Sequence, residues 1–303
     1  MDKKNILSID IDYILEPFIE YCEKAWSSAP FYTTHTFKEG LDKPTLIFDR
    51  MHDMAPLIKK TSSISQKNFM EVLEIFSQAL FSLKKTEHNK LYFADNHDTI
   101  LTPLQELYDS IDQYKQADTK FSIINFDHHH DIYYNEDQAR DVDMYNLVSP
   151  GDWMWYLDKV GIVNDYHWVG NENSQPWTDK MGTGAPTYMQ NGSHCTSLEA
   201  LRKSITIPKT FDLIYVCKSP QWTPDIYFDY FEMLKKLAKD YFNKDFTQDR
   251  GFFCGSRTSK KWGSKANNKV ELDQEHVDTN KEITELKTVV SNQLKMGGSK
   301  DDI

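Results

Sequence analysis

Short apolar runs that stop at a polar or turn residue recur along the chain, and longer amphipathic stretches separate them. The runs read as strands at NILSIDID (5–12), TLIFDR (45–50), KLYFAD (90–95), FSIINFD (121–127), DYHWVG (165–170) and DLIYVCKS (212–219), all compatible with parallel, buried strands. Between them, QKNFMEVLEIFSQALFSLKK places Phe69, Val72, Leu73, Phe76, Leu80 and Leu83 at the i, i+3, i+4 spacing of an amphipathic helix. TPLQELYDSIDQY offers Thr102 as a cap with Pro103 at the first helical position, and PDIYFDYFEMLKKLAKDYF reads as a third helix. This alternation predicts an α/β domain on a mainly parallel sheet. In such sheets ligands bind outside the carboxyl ends of the strands, where the polar residues of these runs fall.

From Ser256 onward the sequence turns polar, with little apolar material before ITELKTVVSNQL, and it closes on MGGSKDDI. Residues 1–255 therefore read as one domain and 256–303 as a polar, flexible tail with one helix.

Composition narrows the class. A hydrophobic content of 39% with 13% aromatics is that of a globular chain rather than a disordered one. No apolar run reaches the roughly 20 residues that span a bilayer. Asp10 and Asp12 interrupt the apolar N-terminal stretch, which a signal-peptide core would not tolerate, so a cytoplasmic protein is expected. Cys22, Cys195, Cys217 and Cys254 form no CxxC pair and read as reduced thiols. The net charge of -11, with no basic block among aromatics, argues against a nucleic-acid partner and leaves carboxylates free to hold cations.

Three strand ends carry the candidate chemistry. SIDID sets Asp10 and Asp12 two residues apart, so an extended strand would point both to one face. FADNHD offers His97 just past its strand. INFDHHHD repeats the two-residue spacing at Asp127, His129 and Asp131, with His128 and His130 pointing elsewhere. A lone D-x-D or a lone histidine is most often a solvated surface feature. Five contiguous His and Asp side chains cost desolvation unless a cation or solvent compensates them. Four carboxylates with two imidazoles suit manganese or iron(II) better than thiolate-rich zinc. Two carboxylates bridging a pair of divalent cations would lower the pKa of a water between them enough to make a nucleophile near neutral pH.

DHHHD and SIDIDYILEP resemble the D-x-H-x-D and S-x-D-x-D-x-x-D-P hallmarks of the ureohydrolase superfamily of arginases, agmatinases and related deacetylases. Glu16 stands at the family's last Asp and Pro17 is retained. GDWMWYLDKVGIVNDYHWVGN and FDLIYVCKSPQWTPD are similar to an arginase-like family that includes the peptide arginases, which convert arginine side chains of ribosomally made precursor peptides to ornithine, releasing urea. The resemblance covers residues 5–235. It implies a three-layer α/β/α, arginase/deacetylase-like fold, circularly permuted because D-x-D here precedes the histidine and D-x-H-x-D motifs. It implies two Mn(2+) per chain, with Asp10 and Asp127 bridging, His97 and Asp131 completing one ion, and His129 and Asp12 the other.

Under the same resemblance, Asp127 and His129 serve catalysis. TLIFDRMHD would supply Asp49 as the acid facing the guanidinium, with His52 or Asp53 close behind, through charge-assisted hydrogen bonds. The partner implied is an arginine-containing precursor peptide, with no nucleic acid and no membrane. A histidine that protonates the leaving amine is expected among His128, His130, His167 and His194. The aromatic segment from Trp153 to Trp177 reads either as a groove for a peptide backbone or as core packing. Competing readings are an amide deacetylase or free-arginine or agmatine hydrolase of the same superfamily, and a non-enzymatic peptide-binding module. A DHH-type phosphoesterase would normally follow its early D-x-D with glycine and a small hydroxyl residue, not Tyr13 and Ile14.

Overall fold

The structure is a computed structural model that describes residues 2–15, 63–133, 139, 142–144, 147–171, 174, 176–177, 191–219, 223, 227–249 and 256–257. Asp49, His52 and Asp53, the expected strand TLIFDR, Glu16 and Pro17, and the tail beyond 257 lie outside the described residues.

Nine strands are described: β1 (Asp2–Asp10), β2 (Leu91–Ala94), β3 (Thr119–Phe126), β4 (Leu147–Val148), β5 (Val163–Val169), β6 (Ser193–Cys195), β7 (Leu213–Cys217), β8 (Gln248–Asp249) and β9 (Ser256–Arg257). Seven form one sheet in the order β6-β5-β3-β1-β7-β2-β8, and every pairing in it is parallel. β4 and β9 make a separate antiparallel pair. Among the described residues, the α-helices with defined bounds are α1 (Ser63–Ser82), α2 (Leu101–Asp109), α3 (Gln113–Gln116), α4 (Trp153–Lys159), α5 (Leu198–Ser204) and α6 (Phe228–Phe242). None of the described helices is long and apolar enough to cross a membrane.

Side-chain alternation along the strands builds two cores. Leu7 and Ile9 of β1, Ile124 and Phe126 of β3, and Ile214 and Val216 of β7 face one way, against Phe69, Val72, Phe76 and Leu80 of α1 and Phe231 and Leu234 of α6. Ile6, Ile123, Leu213 and Tyr215 face the other, against Leu101 and Leu104 of α2 and Trp153 and Leu157 of α4. A parallel sheet with both faces covered is the three-layer α/β/α arrangement.

Two sequence expectations change at element ends. The helix expected from Thr102 starts at Leu101, because a 3-10 helix over His97–Ile100 runs directly into it. Thr102 is thus an exposed residue inside the first turn rather than a cap. β6 and β8 went unread because they are short edge strands, three and two residues long, without an apolar run.

Order in space positions the site. β1 is central, between β3 and β7, and the chain leaves β1 for β2 on one side before crossing to β3 on the other. That reversal opens a crevice at the carboxyl ends of the strands. The registers Ile9↔Phe126, Asp10↔Cys217 and Ala94↔Cys217 bring the ends of β1, β3, β7 and β2 level.

Candidate metal centre

Asp10 closes β1, and its Oδ1 accepts the N–H of Asp12 at 3.1 Å, which turns the chain into a 3-10 helix over Ile11–Ile14. Asp12 therefore does not share an extended face with Asp10. The turn carries its carboxylate to the loop after β3, where Oδ1 accepts from the His128 N–H at 3.0 Å and Oδ2 lies 2.7 Å from His129 Nδ1. β3 likewise stops at Phe126, so Asp127, His129 and Asp131 lie in a loop and not along one strand face. Asp131 takes a left-handed backbone, φ 53°. The loop splits the motif, turning His129 toward Asp12 and Asp131 toward His97, while Asp127 meets both.

His97 is 1% exposed, and its Nδ1 lies 3.2 Å from Asp10 Oδ2 and 3.0 Å from both Asp127 Oδ2 and Asp131 Oδ2. None of the three oxygens is aligned to accept a proton from that nitrogen. Its other nitrogen, Nε2, is 2.7 Å from Ser8 Oγ. With Ser8 accepting from Nε2–H, Nδ1 would present a lone pair to three carboxylates, an arrangement that a proton or a cation among the four atoms relieves. The four atoms converge closely enough that they could hold a metal ion.

Two overlapping triads follow, Asp10, His97 and Asp127, and Asp12, Asp127 and His129, with the candidate ligand atoms of each within 4.8 Å of one another. Asp127 gives Oδ2 to the first and Oδ1, 3.8 Å from His129 Nδ1, to the second. Asp10 turns Oδ2 to His97 while the Asp12 N–H holds Oδ1. The two triads differ in access, since the side chain of His129 is 25% exposed.

The electrostatics record the crowding of carboxylates. Burial, then the charges of Asp131 and Asp10, pushes Asp127 up to about 8. Burial and Asp127 push Asp12 up to about 6, and burial with Asp12 beside it raises Asp10. Burial opposes charge on the histidines but is outweighed. Asp131, with Asp10 and Asp127, holds His97 well above its ordinary value, and Asp12 lifts His129 to about 9. Without cations the centre retains protons where cations would sit.

Side chains that sequence reasoning missed hold the centre in place. Asn125 Nδ2 donates to Asp127 Oδ2 at 3.2 Å and to Tyr166 Oη at 3.0 Å, and Trp168 Nε1 donates to the Asp127 carbonyl at 2.9 Å. Ser219, also left-handed at φ 45°, donates its hydroxyl to Asp10 Oδ2. Trp153 Nε1 donates to Asp131 Oδ2 at 2.6 Å. Ser8 and Asn125 had a legible signal, for each stands two residues before a motif aspartate at the end of its strand.

The remaining histidines are engaged elsewhere. His128 packs edge-on to His129, and burial followed by the His129 charge drops its pKa to about 3, so its ring is neutral. His130 Nδ1 accepts the N–H of Ile132 at 3.1 Å, His167 meets Ser193 and Asp165, and His194 stacks on Trp168. Within the aromatic segment, Trp153, Tyr156, Tyr166 and Trp168 are buried in the second core, and Trp155 and Trp177 pack against it partly buried.

Comparison with protein-family models, with curated proteins and with solved structures yields no match to the chain.

Proposed function

We propose that the chain is a dinuclear metal-dependent hydrolase. The single observation that carries this is Asp127, whose two oxygens reach two different His and Asp triads, so one carboxylate joins two candidate ion sites. Divalent cations held there would lower the pKa of water and offset negative charge developing in the transition state. The chain's own residues fix the donors. Ser8 bonds His97 Nε2 and orients the ring, Asn125 and Trp168 hold Asp127 at its side chain and backbone, and the turn after Asp10 delivers Asp12.

The finer reading is that the substrate is the guanidinium of arginine side chains in a precursor peptide, with manganese as the metal and ornithine and urea as products. It rests on the motif resemblance and on the oxygen-rich donor set. The balance is simple: water adds its oxygen to the guanidinium carbon, the bond from that carbon to the side-chain nitrogen breaks, and both water hydrogens end on the leaving amine. Asp49, with His52 and Asp53, is the proposed contact to the guanidinium. The chain order, with the Asp10 strand first, is what a permuted member of this superfamily would have.

The test is incubation of the manganese-loaded protein with arginine-containing peptides, reading urea and the mass of one cyanamide unit lost per arginine. Free arginine as the better substrate would overturn the peptide assignment. One ion per chain would overturn the dinuclear scheme in favour of a mononuclear amide hydrolase.

A further inference from the structure

Asp131 is gripped at both ends by successive residues of one helix. Its carbonyl accepts the N–H of Met154 at 3.0 Å, and its carboxylate Oδ2 accepts the indole N–H of Trp153 at 2.6 Å. That same oxygen is 3.0 Å from His97 Nδ1. Trp153 has no exposed surface, and its ring lies 5.1 Å from the His97 ring. Indole is a donor with no acceptor, so it accommodates an oxygen lone pair and nothing else at that point. A left-handed aspartate is an uncommon backbone state, held here by partners on both its carbonyl and its side chain.

We infer that Trp153 is the positioning residue of the buried ion site: it locks the Asp131 carboxylate toward His97 and so makes Asp131 the fourth donor of that site alone. The inference rests on the metal reading above. Four donors at the His97 site against three at the His129 site make the buried site the tighter of the two. The packing also makes Trp153 an optical reporter, because a paramagnetic ion beside His97 would quench an indole 5.1 Å from that ring.

The test titrates metal-free full-length protein with Mn(II), counting bound ion and following tryptophan emission. The expected result is two classes of site, with emission quenched as the tighter class fills. In Trp153→Phe the tighter class weakens by about 10- to 100-fold, as removal of outer-shell partners does, the weaker class is unmoved, and the quench disappears. Trp155→Phe, whose indole bonds Asp143 instead, keeps both. Should the phenylalanine variant fail to fold, benzothienylalanine at 153 keeps the bicyclic ring and removes only the N–H, and the same weakening is expected without loss of metal-free Tm. Unchanged affinity of the tighter class in either variant overturns the positioning role. A wild-type chain that binds no Mn(II) overturns the metal reading itself, which is a separate outcome.

Discussion

Asp127 does the most at the residue scale, because it is the one side chain shared by both triads. Asp127→Asn keeps the volume and removes a charge that both sites need. The expected outcome is loss of bound metal, read by elemental analysis beside the wild type, and of any hydrolysis the wild type performs; full metal content would remove the bridging role. Ser8→Ala tests the donor of His97 more gently. Without its hydrogen-bond partner on Nε2 the ring is less firmly oriented, and metal affinity should fall by about 10- to 100-fold with little change in fold. The clustering of Asp10, Asp12, His97, Asp127 and His129 was legible in the sequence because dense His and Asp at strand ends are costly without compensation. The grips on them were not: Ser219 reaches Asp10 across 209 positions and Trp153 reaches Asp131 across 22, distances that no local pattern encodes.

Helices and strands were legible wherever period and length were strong. α1 shows this best, with Phe69, Val72, Phe76 and Leu80 spaced for one face and all buried against the sheet. Each such side chain contributes about 1.5–3 kcal/mol by leaving water. Phe76→Ala should therefore cost about 3–5 kcal/mol, read as a lower midpoint in urea, with the difference reflecting the cavity left behind. What period could not give was the ends. Asp10 and Asp12 fit one strand face on paper, yet the Asp10 carboxylate captures the Asp12 N–H and ends the strand. A side chain that competes with the sheet for a backbone donor overrides alternation.

At the scale of the whole molecule, the crowded carboxylates link stability to pH and to metal. Asp127, raised to about 8, and His129, raised to about 9 from 6.5, both hold protons more tightly folded than unfolded. Their contributions are present below the unfolded values and are lost as pH rises through the folded ones. His128, lowered to about 3, runs the other way, its contribution full above 6.5 and lost only toward acid. Between about pH 6.5 and 9 the metal-free protein should thus lose stability as pH rises, measured as Tm across buffers. Metal bound at the proposed sites would reverse the trend, since it would displace those protons and bind better as they leave. An ion at 100 times its Kd adds about 2.7 kcal/mol per site, so chelation should lower Tm most at the alkaline end.

The placement of β7 carries a consequence in time. It lies between β1 and β2 and donates no ligand, yet the spacing of Asp10 from His97 is set by its width. During synthesis every candidate donor of both triads has emerged by residue 131, while the strand that spaces two of them arrives only at Leu213. A ribosome-bound chain that has passed Asp131 but not reached Leu213 holds all the donors and no finished centre.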